Sequence, residues 1–186
     1  MKTLLTVLLV LTLSITNAQK VTGDYEKSTD FSIYKTYQFI GWQDNSDQVM
    51  NDFDKRRLRD AIIEEMRVRQ FELVESGADM AISLFVVIDK KTSTTAYTSY
   101  YGGAGYGYGR RYGGRGWSSG YATTSYSERD YLQGTLVLDM LDTQSKDLLW
   151  QGVATGTVNS KPEKREKSIP KAIKKLMKKF PVDKVK

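Results

Sequence analysis

The spacing of apolar positions along the chain changes period several times, and each change marks an element. Residues 20–26 (KVTGDYE) and 35–42 (KTYQFIGW) have strand chemistry, joined by a turn over 28–34. In the second strand, alternation puts Tyr37 and Phe39 on one face and Ile40 and Trp42 on the other. Over 50–69 the period becomes helical, with Phe53, Leu58, Ile62, Ile63 and Met66 near one face and charged residues around them. A short strand, FELV (71–74), and a Ser76-Gly77 turn follow. Residues 79–89 then alternate strongly: Met80, Ile82, Leu84, Val86 and Ile88 share a face, with Phe85 and Val87 on the reverse. Residues 132–142 repeat the pattern, Leu136, Leu138 and Met140 facing in, Thr135 and Asp139 out. A turn over 143–146, its backbone within reach of Asp142, leads to a strand over 148–158 and so to a hairpin. There Trp150, Gly152, Ala154 and Gly156 share a face, and the small residues would admit a helix closely.

Helical spacing returns at the C-terminus, where Ile169, Ile173, Leu176, Met177 and Phe180 form a stripe flanked by Lys171, Lys174, Lys175, Lys178 and Lys179. Ser160 with Glu163 reads as a capping box, with Pro162 in the first turn. Pro170 lies inside the pattern and either starts the helix near its own position or kinks a longer one. The order β-β-α-β-β-β-β-α specifies an α+β fold. It reads as a two-layer sandwich, a mainly antiparallel sheet with two helices packed on one face. With 186 residues, the chain has room for one such domain, over 19–186.

Two segments stand apart from this pattern. Lys2, the apolar run 4–15 and small residues at Thr16 and Ala18 have the layout of a secretory signal peptide over 1–18, cleaved between Ala18 and Gln19. The apolar run has 12 residues, short of the roughly 20 that span a bilayer, and no Cys follows to carry a lipid anchor. The expected mature protein is exported, to the periplasm or beyond, with no transmembrane span. The second segment, 97–121, holds 9 Gly, 7 Tyr, 3 Arg and 1 Trp in 25 residues, with no acid. Glycine at that density builds no core, so the segment reads as the flexible tip of a long hairpin extension. Tyr100, Tyr101, Tyr106, Tyr108, Tyr112 and Trp117, with Arg110, Arg111 and Arg115, would offer an interaction surface. Aromatic faces of this kind suit an envelope protein or a glycan, and export disfavours nucleic acid.

Charge is unevenly distributed. Residues 161–186 hold 11 Lys and Arg against 3 acids, whereas 19–160 hold 16 against 19. The basic C-terminal helix is thus a candidate binder of anionic glycan or membrane surface, through Lys174, Lys175, Lys178 and Lys179. A solvated helix face accounts for the same charges.

Catalytic chemistry is sharply constrained. The chain has no Cys and no His, which excludes thiol and imidazole catalysis and the metal sites built from them. Asp52, Asp54, Glu64 and Glu65 sit among Arg and Lys on the polar side of the first helix, and Asp139 and Asp142 lie at an odd offset on opposite strand faces. Neither set makes the convergent pair that a carboxylate hydrolase needs. The reading is a non-enzymatic interaction or structural module, with no motif for a cofactor or metal.

Four stretches carry a resemblance: DFSIYKTYQF (30–39), Ala78-Asp79 opening a strand, LDMLDTQSKDLLWQGVATG (138–156), and the terminal Lys-Lys-Phe-Pro (178–181). In this order and spacing they resemble the bacterial envelope family described as domain of unknown function 4136. The resemblance implies a small α+β domain, often a lipoprotein, with a Gly/aromatic insertion in its central hairpin. It implies no catalytic residue. The chain departs from the family in lacking the lipobox Cys and in carrying Gln70 where Gly often precedes the Phe.

Overall fold

The computed structural model describes the backbone of residues 19–101 and 121–185 and the side chains of 19–96 and 127–185. It divides into a body, Met1–Asp89 with Leu132–Lys186, and a second unit, Lys90–Tyr131. The strands are β1 (Lys20–Tyr25), β2 (Thr36–Trp42), β3 (Glu72–Leu73), β4 (Met80–Tyr101), β5 (Tyr121–Asp142) and β6 (Leu148–Thr157). The helices are α1 (Asp52–Arg67) and α2 (Pro162–Leu176). The sheet order is β1-β6-β5-β4-β2-β3.

The α+β class stands, with a sheet more mixed than the alternation suggested. β1 and β5 flank β6 antiparallel, but β2 runs parallel to both β3 and β4. The cause is α1, a crossover between β2 and β3 of the kind that parallel neighbours require. Both helices cover the face that carries Met80, Ile82, Leu84, Leu136, Leu138 and Met140, where they contribute Leu58, Ile62, Met66, Ile173 and Leu176 to one core. Each such side chain, fully buried, stabilises by about 1.5–3 kcal/mol.

Three local expectations are corrected. In β2 the register shifts between Phe39 and Gly41, where Gly41 has φ +105°, so Trp42 comes opposite Leu84 and packs against the core with Phe39. Simple alternation had put Trp42 on the other face; the bulge adds one residue and reverses parity. Phe53 is 64% exposed, because the inner face of α1 begins at Asp54 instead. Helix α2 begins at Pro162 and carries Pro170 in its interior, and its N-cap is Lys161 with no side-chain cap bond. The capping box of Ser160 and Glu163 therefore does not form; the Ser160 carbonyl instead accepts from Arg165 Nη1 at 2.8 Å. Beyond the alternating stretches 79–89 and 132–142, β4 and β5 run on to 22 residues each.

In the second unit, Asp130 accepts from Lys90 Nζ at 2.6 Å and from Thr92 Oγ1 at 2.9 Å. The tip of the expected hairpin lies outside the described residues.

Candidate functional site: a groove between two helix N-termini

The two helices run side by side in the same direction, since Arg165 in the first turn of α2 meets Asp54 in the first turn of α1, and Met177 just past α2 meets Arg69 just past α1. The helix–sheet layer thus has two ends, and they are built differently.

The end where the helices finish is filled. Phe180 is its hub, its ring 5.4 Å from Phe31, 5.4 Å from Trp150 and 6.0 Å from Phe71. The indole of Trp150 lies over Gly152, where a Cβ would come within 2.2 Å of Trp150 Cη2, and Trp150 Nε1 donates to the Lys179 carbonyl. The small residue thus makes room for Trp150, not for a helix. Buried Arg69 donates to the carbonyls of Glu65, Met177 and Val182 and to the Glu65 carboxylate, which Lys184 also reaches at 2.9 Å.

Two carboxylates tie the strand ends there. Asp79 accepts from the backbone amides of Lys35 and Thr36 at 2.8 and 2.9 Å, and these amides hold its carboxyl below the ordinary carboxylate range. Asp142 accepts from the amides of Gln144 and Ser145 and from the Tyr34 hydroxyl at 2.9 Å. The Ser145 amide, then Tyr34, lower its pKa, while burial and Asp142 raise that of Tyr34 to about 12. Asp142 therefore takes the turn role its position suggested. The stretches that carry the family resemblance supply much of this end: Phe31, Tyr34 and Thr36, Asp79, Asp142 and Trp150, and Phe180. Their bonds there are structural.

The end where the helices start is open. A cavity of about 330 Å³ lies between the first turns of α1 and α2 and the sheet. Its walls are apolar, with Leu58 from α1, Ile169 and Ile173 from α2, and Val86, Leu136 and Ala154 from the sheet. Val49 and Leu132 also line it and are 53% and 47% exposed, so apolar surface continues into solvent. About a third of the lining residues are polar. Asp54, 6% exposed, accepts from Arg57 Nη1 at 2.6 Å, from Arg165 Nε at 2.7 Å and from Asn51 Nδ2 at 2.8 Å. Asn51 caps α1 by accepting from the Asp54 amide at 3.0 Å. Asn159 and Ser168 are hydrogen-bonded to each other at 3.2 Å.

Gln19, at the expected cleavage point, is the first described residue and lines this groove. Its partner Ala18 lies outside the described residues. Tyr100 and Tyr101 close β4, with only their backbone described; Tyr106, Tyr108, Arg110, Arg111, Tyr112, Arg115 and Trp117 lie outside the described residues. Lys174, Lys175, Lys178 and Lys179 are all exposed. They are not equally free, since Lys175 Nζ donates to the Gln19 carbonyl and the Lys179 backbone packs on Gly23 and Trp150. Of the four acids on the first helix, Asp52 and Glu64 are exposed as expected, but Asp54 and Glu65 are buried. The signal for both was present: Asp54, Leu58, Ile62, Glu65 and Arg69 recur at three- and four-residue steps along one face. Asp139 accepts from Gln43 and Gln151, away from Asp142. Among the described residues no cluster of acids could hold a metal ion, and no helix is long and apolar enough to cross a membrane.

These features define a two-layer α+β domain with a groove at one end of its helix–sheet interface. The chain belongs to the family Domain of unknown function (DUF4136), which it matches over residues 21–182. No curated protein matches it. A crystal structure of a PDZ domain protein from Parabacteroides distasonis ATCC 8503 shares the fold, with TM-score 0.54 and 14% identity. That match covers 99% of this chain but 41% of the other, so the chain spans under half of that protein's length. The PelC dodecamer of Paraburkholderia phytofirmans is similar over 90% of this chain and 100% of its own, at 10% identity and TM-score 0.49.

Proposed function

We propose that this protein is an exported, non-catalytic binding module whose ligand is apolar and lies in the groove between the helix N-termini and the sheet. The observation that carries the reading is the groove itself: about 330 Å³ with apolar walls and an exposed apolar rim at Val49 and Leu132. Ligand sites are commonly clefts of about 300–1,000 Å³, mostly apolar, with a few placed polar groups. This one is at the small end and suits one hydrocarbon chain. Export is supported by the signal-like pattern of residues 1–18, and non-catalytic action by the lack of Cys and His.

The test uses protein recovered from the cell envelope, whose intact mass should correspond to a chain beginning at Gln19. A chain retaining Met1 would overturn cleavage before Gln19, and recovery from the cytoplasm alone would overturn export. Titration with the neutral apolar fluorophore phenylnaphthylamine should show one bound equivalent. Ala172→Trp, which places an indole in the groove, should abolish that binding while the far-UV spectrum stays unchanged. Absence of binding, or binding untouched by Ala172→Trp, would remove the groove as the site.

A further inference from the structure

The charged residues that line the groove are Asp54 and Arg165, and Asp54 is shared with a second guanidinium from outside the lining, that of Arg57. Arg57 and Arg165 share a single carboxylate, that of Asp54, at 2.6 and 2.7 Å. The three side chains are 24%, 17% and 9% exposed, so the surplus positive charge is only partly solvated. Asn51 adds a donor to the same carboxylate and no charge. Arg165 spends its Nε on Asp54 and its Nη1 on the carbonyls of Asn159 and Ser160. Its Nη2 has no acceptor among the described residues, and Arg165 lines the groove.

Two more terms have the same sign. The first turns of α1 and α2 meet here through Asp54 and Arg165, and each helix brings the positive end of its dipole. Residues 161–167 hold four cations, Lys161, Lys164, Arg165 and Lys167, against two acids, Glu163 and Glu166. An apolar slot that ends at an under-neutralised guanidinium is complementary to a molecule with a hydrocarbon tail and a negative head.

We propose that the groove takes a single-chain amphiphile with an anionic head, carboxylate or phosphate, and that Arg165 receives the head through Nη2. This rests on the reading of the groove as an apolar site and adds the class of ligand. A charge-assisted hydrogen bond in a partly buried site should let the head add about ten-fold or more in affinity.

The experiment titrates the chain beginning at Gln19, by calorimetry below the micellar range, with dodecanoate, dodecyl phosphate and dodecanol. The two anionic probes should bind about ten-fold more tightly than dodecanol, and the tighter of them identifies the head. Added salt should weaken both and leave dodecanol unmoved. Arg165→Gln should remove the advantage of the anions and keep dodecanol binding, which also reports that the groove is intact. Arg165→Lys should restore part of the advantage. If Arg165→Gln fails to fold, the salt series on the native chain decides alone. Equal binding of all three probes would overturn the anionic head and leave the apolar groove standing. Failure of all three to bind would overturn the groove and this inference together.

Discussion

The two ends of the helix–sheet layer use the same materials to opposite effect. Each has a buried acid on α1 that meets a cation from the C-terminal part of the chain: Asp54 with Arg165, and Glu65 with Lys184. At the end where the helices finish, aromatic rings fill the space above the sheet and Arg69 saturates the local carbonyls. At the end where they start, the sheet offers Gly134, Ala154 and Gly156, α2 offers Ala172, and no large ring lies between the layers. The lesson is that buried charge fixes how the helices lie at both ends, while side-chain volume decides which end is closed. The filled end sets stability and the open end is available for binding.

The strongest way to break this contrast is to empty the filled end. Phe180→Ala removes the hub of three ring contacts and should cost about 3–5 kcal/mol. Ile169→Ala, in the groove wall, should cost roughly 1 kcal/mol, since that side chain is only partly buried. Urea denaturation measures both, and equal losses would erase the distinction between the ends.

A smaller effect comes from acid. Asp142 and Asp79 have folded pKa values below their usual 3.8. A carboxyl depressed in this way stabilises fully well above pH 3.8 and loses that contribution as pH falls through its folded value. Asp142→Asn should therefore cost roughly 1 kcal/mol at pH 7, a figure reduced for solvent screening. The gap between variant and parent should narrow below pH 3.8. A gap that stays constant down to pH 2 would show that the charge of Asp142 contributes nothing.

The smallest effect is a gain. Gln70 follows α1 with φ +65°, and the Phe71 amide reaches back to the Met66 carbonyl at 3.2 Å. That is the helix-ending geometry in which glycine is strain-free. Gln70→Gly should raise stability by about 0.5–1 kcal/mol at the filled end. An unchanged melting temperature would mean that Gln70 makes compensating contacts.

What the sequence revealed, and what it hid, follows from range. The alternation in β4, β5 and β6 is local, so Met80, Ile82, Leu138 and Met140 were legible as core. The Gly41 bulge was missed because the alternation was carried straight through KTYQFIGW, although a lone glycine inside a strand pattern is where a bulge forms. Asp54 and Glu65 were read as surface because they sit among Arg and Lys, although their spacing places them on the face of Leu58 and Ile62. Each has a local partner, Arg57 for Asp54 and Arg69 for Glu65, and a distant one, Arg165 and Lys184, which lie 111 and 119 residues further on and which only the fold brings near. The groove was hidden for a related reason. Its wall residues were each legible as inward-facing, and Gly152, Ala154 and Gly156 were legible as small. Small residues on a sheet face can let a neighbour approach or leave a space. Trp150 takes the space at Gly152, whereas Ala154 and Gly156 line the cavity.

The placing of β1 has a consequence for the order in which the molecule can assemble. Lys20–Tyr25 pairs along its whole length with β6, from Lys20 opposite Thr155 to Tyr25 opposite Trp150, and a Cβ at Gly23 would lie 2.7 Å from that of Lys179. The first strand thus has no sheet neighbour until nearly the last fifth of the chain exists. Contacts of such long sequence separation slow folding relative to helical bundles of similar size. The first described strand is ordered by the last, and the sheet cannot close at this edge before residues 148–157 are free to fold.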